Sequence, residues 1–247
     1  PATTYETAGA TLGLAEVREL LSDPRITHLS EVMNVPGVLH DDPVLIGKLT
    51  AAQKRQLPID GHAPGLFGDA LRDYVQHGIS TDHECTTLEE ARQKIWLGQK
   101  VQIREGSAAK NFSTLLPLLR ESPHACMLCS DDLHPDDLMV GHIGRLAALA
   151  IQSGIDLFSV LQAACRTPVL HYRLPLGQLQ VGDSADFIRV ADLETLSVVE
   201  TFCKGVLVFD RGQCLIPRLP IPICNSFSAA PIDRSSLSVP ARAGKLR

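Results

Sequence analysis

The sequence predicts an α/β fold in which parallel strands are joined by helical crossovers. Three observations carry this. Short apolar or β-prone runs alternate with segments of helical period from residue 15 to residue 172. The connections are short, and helices close on glycine, as at Gly78, Gly98 and Gly154. Several strand-like runs are only three to six residues long. Short strands followed by longer helices suit a (β/α)8 barrel better than a wide open sheet, although the pattern alone leaves that choice open.

The elements follow in order. "AEVRELLSD" (15–23) reads as a helix and "ITHLSEV" (26–32) as a strand. "DPVLIGKLTAAQKRQ" (42–56) is helical, with Asp42 as N-cap and Pro43 at the first helical position. "LPID" (57–60) is a short strand, 68–78 a helix and "IST" (79–81) a strand. "TLEEARQKIWLG" (87–98) is a helix capped by Thr86 or Thr87, with acidic residues in its first turn. "KVQIRE" (100–105) is a strand, 108–121 a helix interrupted near Pro117, and "ACMLCS" (125–130) a strand. One helix is expected over 135–154 and one or two more over 156–172. After about 173 the character changes to β-rich runs near 185–190, 197–203 and 206–209, separated by turns such as "VGDSAD" and "CKG". The expected organisation is a barrel-like part over 1–173, part of a small β-domain over 174–214, and a Pro- and Ser-rich stretch over 215–247. That last stretch is either a tail or the start of a region cut short.

Composition narrows the function. The net charge of −5 and pI near 6.0 give no electrostatic reason to expect nucleic acid or an anionic membrane. No apolar run approaches the roughly 18 residues that span a bilayer. The opening "PATTYETAGA" has neither the basic start nor the apolar core of a signal peptide, and the missing initial Met leads us to expect a processed or incomplete chain. Seven cysteines, an odd number in a chain this long, read as reduced thiols and a cytoplasmic location. Cys126 and Cys129 have CxxC spacing, but they fall inside an apolar strand. A redox pair or zinc knuckle needs a turn there, so neither is expected.

The strand ends carry the chemistry. Five successive strands deliver Glu31, then His62, then His83 and Glu84, then Arg104, Glu105 and Ser107, then Asp131 and Asp132. Imidazole and carboxylate suit Zn, Fe and Mn, and a further carboxylate can act as general base. Each residue alone has a plainer reading: a hydrogen-bonded histidine, a helix-capping Asp131, a Glu31 paired with an arginine. Together they repeat one chemistry at one topological position.

The stretches "SEVMNVPGV", "IDGHAPG", "HGISTDHECTTLEEA", "QIREGSAAKN" and "CMLCSDDLHPDDL", in this order, resemble the microbial adenine deaminases of the amidohydrolase superfamily, and "VGDSADFIRV" resembles their return into a β-sandwich domain. The resemblance covers about residues 1–215. It implies the second half of a (β/α)8 metal-dependent hydrolase barrel, followed by part of a small β-sandwich. It also implies two divalent metal ions, Mn or Fe ahead of Zn. Glu31 would bridge the metals, His62 and His83 would be ligands, and Asp131 would be both ligand and proton shuttle. Glu84 would share the catalytic site, while Arg104, Glu105 and Ser107 would contact substrate. The implied reaction is adenine plus water to hypoxanthine plus ammonia, in a full-length protein that is a homo-oligomer. The family's first-strand His-x-His pair is absent from this chain. Two readings therefore stand beside the deaminase. One is an amidohydrolase acting on cyclic amides, many of which bridge their metals with a carboxylated lysine. The other is a non-catalytic remnant.

Overall fold

A computed structural model describes residues 10–222, 229 and 231–238. The first nine residues and, in the expected stretch over 215–247, residues 223–228, 230 and 239–247 lie outside the described residues, Cys224 among them. By internal contacts the chain divides into Pro1–Leu215 and Ile216–Arg247.

The first unit is built on a parallel five-stranded sheet in sequential order, β1-β2-β3-β4-β5. Its elements alternate as expected. They run α1 (Leu14–Leu20), β1 (Leu29–Val32), α2 (Val35–Leu39), α3 (Pro43–Lys54), β2 (Ile59–Gly61), α4 (Gly68–Gln76), β3 (Ile79–Asp82), α5 (Leu88–Trp96), β4 (Lys100–Arg104), α6 (Phe112–Leu115), α7 (Leu118–Glu121) and β5 (Cys126–Cys129). The local chemistry explains the boundaries. The Asp42 carboxylate accepts from the Val44 and Leu45 amides at 3.0 and 2.9 Å, with Pro43 at the first helical position of α3. Thr87 Oγ1 accepts from the Glu90 amide at 3.2 Å and starts α5. Gly78 and Gly98 take φ of 83° and 95° where α4 and α5 end, a region costly for any residue with a Cβ. Pro117 separates α6 from α7, as its missing N–H requires.

Two elements differ from expectation. The five-residue α2 forms where no element is expected from the sequence, because Asn34 Oδ1 accepts from the Gly37 amide at 3.0 Å and Pro36 presets its first turn. The single helix expected over 135–154 is two, α8 (Pro135–Val140) and α9 (Ile143–Gln152). Gly141 between them is fully extended, with φ 162° and ψ 166°. His142 Nε2 lies 3.1 Å from Ser130 Oγ, tying the break back to the end of β5. Downstream, α10 (Leu157–Leu161), a π turn (Gln162–Arg166) and α11 (Thr167–Tyr172) complete the helical part.

The core follows the sheet. Ile59, Ile79, Val38, Leu49 and Ala52 pack around β1–β3, and Val101, Ile103, Leu115, Leu119, Cys126, Ala150 and Val160 around β4–β5. A four-stranded antiparallel sheet follows: β6 (Phe187–Val190), β7 (Val198–Cys203), β8 (Val206–Asp210) and β9 (Gln213–Cys214). Lys204 and Gly205 both have positive φ, 51° and 78°, giving the two-residue hairpin turn that "CKG" suggests. Phe187 and Phe202 stack across β6 and β7 at 4.6 Å. In the second unit, Asp233 caps a single 3-10 turn, Arg234–Leu237, among the described residues. No helix among the described residues is long and apolar enough to cross a membrane.

Candidate metal centre

Parallel strands place their C-terminal ends on one edge, and period-2 alternation selects which side chains face the same way. Glu31 lies within β1, His62 follows β2, His83 and Glu84 follow β3, Arg104 ends β4, and Asp131 lies two residues past β5. These six side chains converge. Glu31 Oε2 is 3.0 Å from His83 Nε2, and Glu31 Oε1 is 3.5 Å from His62 Nδ1. Glu84 Oε1 lies 3.6 Å from His62 Nδ1 and 3.7 Å from His83 Nε2. The two imidazoles meet edge to face at 5.2 Å. Arg104 donates to both Glu84 oxygens, at 2.5 and 2.8 Å, and its Nη1 also contacts the Asp131 carboxylate.

Glu105 and Ser107 stand apart from this cluster. Glu105 pairs with Lys110 at 3.4 Å. Ser107 Oγ accepts from the His134 amide at 2.8 Å and donates to Asp137 at 2.5 Å, so its hydroxyl ties the loop after β4 to the loop after β5. Asp132 is exposed, and its carbonyl accepts from the Ser107 amide at 2.9 Å.

Buried polar side chains that the sequence reading did not single out hold the cluster in place. Tyr74 on α4 donates its hydroxyl to the Val32 carbonyl at 2.7 Å and accepts from the His62 amide at 3.1 Å, joining the ends of β1 and β2. Asn111 donates to the carbonyls of His83 and Cys85, both at 3.1 Å, and accepts from the Arg104 amide at 2.8 Å, joining the ends of β3 and β4. Asp82 accepts from the Ala63 and Glu84 amides, both at 2.8 Å. A Tyr–Val32/His62 link is invisible in a linear sequence. The "DH" pair at 82–83 was the available signal for Asp82.

The electrostatics match a cation site. The hydrogen bond from His83 holds the Glu31 carboxyl below its usual range, against burial and the Asp131 charge, with the two imidazoles adding to the effect. Burial opposes charging of His83, but the Glu31 hydrogen bond and the surrounding carboxylates outweigh it and raise its value. Burial likewise opposes the charge on Arg104, and Glu84 and Asp131 outweigh it. Two overlapping groups have ligand atoms all within 4.8 Å of one another: Glu31–His62–His83 and His83–Glu84–Asp131. His62 Nδ1 is buried and has no hydrogen-bond partner, although two carboxylate oxygens face it. A buried ring nitrogen left unpaired among carboxylates is the donor arrangement that a divalent cation satisfies. The Glu31–His62–His83 group therefore fits a metal. In the other group Arg104 already supplies positive charge to Glu84 and Asp131.

A family model described as "Amidohydrolase family" matches residues 15–208. The chain belongs to the amidohydrolase family. Amidohydrolases are typically metal-dependent, in keeping with the ligand groups at these strand ends. This amidohydrolase is 49% identical over 247 residues to an adenine deaminase of Salinibacter ruber, covering 100% of this chain and 45% of that protein. It is 44% identical over 247 residues to one of Parabacteroides distasonis, again covering 45% of it, and 47% identical over 244 residues to one of Methanosarcina acetivorans, covering 98% of this chain and 44% of that protein. The chain thus spans about 45% of the length of the curated relatives it matches. Among solved structures, a β-aspartyl dipeptidase of Fervidobacterium islandicum AW-1 superposes with a TM-score of 0.64 at 14% identity, covering 84% of this chain and 62% of that one. An N-acetyl-D-glucosamine-6-phosphate deacetylase of Mycobacterium smegmatis gives 0.55 at 14% identity, covering 66% and 51%. These two likenesses support the α/β fold with its parallel sheet.

Proposed function

We propose that the chain is part of an adenine deaminase, converting adenine and water to hypoxanthine and ammonia. One observation carries the reading: Glu31, His62 and His83 converge with an unpaired, buried His62 Nδ1, in a chain 44–49% identical to proteins named adenine deaminase. On this reading residues 1–173 are the second half of a (β/α)8 barrel, 174–214 are part of a β-sandwich, and 215–247 are a tail or the start of a further region. The remaining metal ligands would come from outside this chain, in a cytoplasmic homo-oligomer.

The residues are proposed to divide the work as follows. Glu31, His62, His83 and Asp131 would hold two divalent ions, Mn or Fe ahead of Zn. Glu31 would be the shared ligand, a role supported by its two oxygens facing different imidazoles. A carboxylate at that position, where a carboxylated lysine would bridge in many cyclic-amide hydrolases, supports the deaminase over that alternative. When bound, the ions supply Lewis-acid activation of water near neutral pH. Asp131 accepts a proton from the water that adds to C6 of the purine and returns it to the departing amine, which leaves poorly unless protonated. Arg104 holds the Asp131 and Glu84 carboxylates and aims both into the same space. Glu84, with Arg104, Glu105 and the loop tied down by Ser107, borders the purine.

The test is ammonia release and hypoxanthine formation from adenine by the protein in its full natural length, metal-stripped and then supplied with Mn or Fe. Metal-dependent turnover of adenine is the expected result. Turnover of a cyclic imide with none of adenine would overturn the reading in favour of a cyclic-amide hydrolase, and binding of adenine without turnover of either would favour the remnant.

A further inference from the structure

Beneath the ligand cluster lies a charged group that the proposed chemistry does not use. Lys94, Asp82 and Glu90 are buried, with relative exposures of 0%, 0% and 1%. Lys94 and Glu90 face each other one turn apart on α5, and Asp82 ends β3. The Lys94 ammonium donates to the Ala63 carbonyl and to Glu90 Oε1, each at 2.8 Å, and lies 3.0 Å from Asp82 Oδ1. Two of these contacts are hydrogen bonds and the third, to Asp82, is an ion pair. Burial works against its charge, but Asp82 and Glu90 outweigh burial and raise its value.

The carboxylates spend their other contacts on backbone. Asp82 accepts from Ala63 and Glu84, each at 2.8 Å, and these residues directly follow His62 and His83. Glu90 accepts from Gly65 at 2.8 Å through one oxygen and from Thr86 at 3.0 Å through the other. The segment 62–65 is thus fastened to all three side chains, and the segment 83–86 to Asp82 and Glu90. Ala63 is held twice, its N–H by Asp82 and its carbonyl by Lys94.

We propose that Lys94, Asp82 and Glu90 form a positioning unit that sets the spacing between the loop carrying His62 and the loop carrying His83. A buried ion group is weak support for stability as such, since desolvation offsets much of its attraction. What it does well is fix geometry, because removing one member leaves the others buried and unpaired. Partners outside the ligand shell typically govern metal affinity by about 10- to 100-fold. Only the metal-affinity part of this inference rests on the proposed metal site.

The experiment compares wild type, Lys94→Met, Glu90→Gln and Arg92→Met in the protein at its full natural length. Arg92 lies on the solvent side of the same helix, paired with Glu121 at 2.6 Å, and serves as control. Two readouts are taken: amide hydrogen exchange at Ala63, Gly65, Glu84 and Thr86, and Mn affinity by titration. Lys94→Met is expected to speed exchange at these amides at least about tenfold while the core amides of β4 stay protected, and to weaken Mn binding by about 10- to 100-fold. Glu90→Gln keeps the side chain's size and should do the same more mildly at Gly65 and Thr86; it decides the matter if Lys94→Met does not fold. Arg92→Met should change neither. Folded Lys94→Met or Glu90→Gln protein with wild-type exchange at these amides overturns the proposal. Altered exchange in a protein whose wild type binds no Mn would sink the metal reading and leave the positioning unit standing.

Discussion

Tyr74→Phe isolates one link between the fold and the candidate centre. Tyr74 is fully buried on α4, and its hydroxyl serves two backbone groups at once: it donates to the Val32 carbonyl at 2.7 Å and accepts from the His62 amide at 3.1 Å. Phenylalanine keeps the ring and its packing and removes only the oxygen. Two hydrogen bonds, at about 1 kcal/mol net each, set a floor of about 2 kcal/mol. A buried backbone group left without a partner costs about 1–3 kcal/mol, so the loss rises toward about 4 kcal/mol where neither group finds a substitute. Val32 and the residue before His62 are register partners on adjacent parallel strands, so direct closure of the gap would need the strand ends to shift. The expected destabilisation is about 2–4 kcal/mol. Urea titration of wild-type and Tyr74→Phe chains followed by far-UV circular dichroism measures it, with the m-value expected to hold because the surface exposed on unfolding is the same. A loss below about 0.5 kcal/mol at unchanged m would show that the hydroxyl is not what joins β1 to β2, and the account of how His62 is placed would fail with it.

Two further outcomes follow from the same geometry. Asp131→Asn keeps the shape of the side chain and removes the proton acceptor, so hypoxanthine formation should fall by about 100- to 10,000-fold, while metal content falls less than in His62→Ala or His83→Ala; Asp132→Asn, which lies outside both ligand groups, should stay near wild type, and the reverse pattern would mean that the other carboxylate is the shuttle. Burial pushes the thiols of Cys126 and Cys129 up to about 12, so both stay protonated and unreactive toward a thiol reagent at pH 8, with reaction gaining only as the pH climbs toward that value, whereas the exposed Cys203 and Cys214 should react quickly; rapid labelling of Cys126 and Cys129 in folded protein at pH 8 would contradict their burial.

The convergence of Glu31, His62, His83, Arg104 and Asp131 was legible because a parallel sheet turns sequence position into spatial position. Once the strand ends at 32, 61, 82, 104 and 129 are fixed to within a residue, the side chains at and just beyond them must share an edge, whatever the helices do. Helix boundaries were legible where a cap or a proline acts locally, as at Asp42, Thr87 and Pro117. The break at Gly141 was not, since Ile143–Gln152 continues the apolar period and only the Ser130–His142 contact, reaching back to β5, separates α8 from α9. The supporting residues were hidden for a sharper reason. Glu90 and Lys94, four apart on an amphipathic helix, have the spacing of an ordinary solvent-facing pair. Their burial depends on Ala63, Gly65 and Asp82, which belong to two other elements.

Arg104 shows where sequence reasoning about a site reaches its limit. Read from the strand-end pattern, it is one more polar group free to meet a substrate. In the structure its guanidinium is committed to Glu84 through two bonds and to Asp131 through a third contact, and only its Nε, buried and unpaired, is uncommitted. Glu84 and Asp131 are two further carboxylates beside Glu31, and the guanidinium sets a positive charge between them. Its bonds go to Glu84 and Asp131, while the unpaired His62 nitrogen faces Glu31 and Glu84. The arrangement therefore separates two tasks. The histidine side of the cluster is left open for a cation, and the aspartate side already meets a cationic side chain of the chain itself. A second cation on the aspartate side would sit beside the guanidinium and meet its charge, so Glu31, His62 and His83 are the stronger of the two ligand groups.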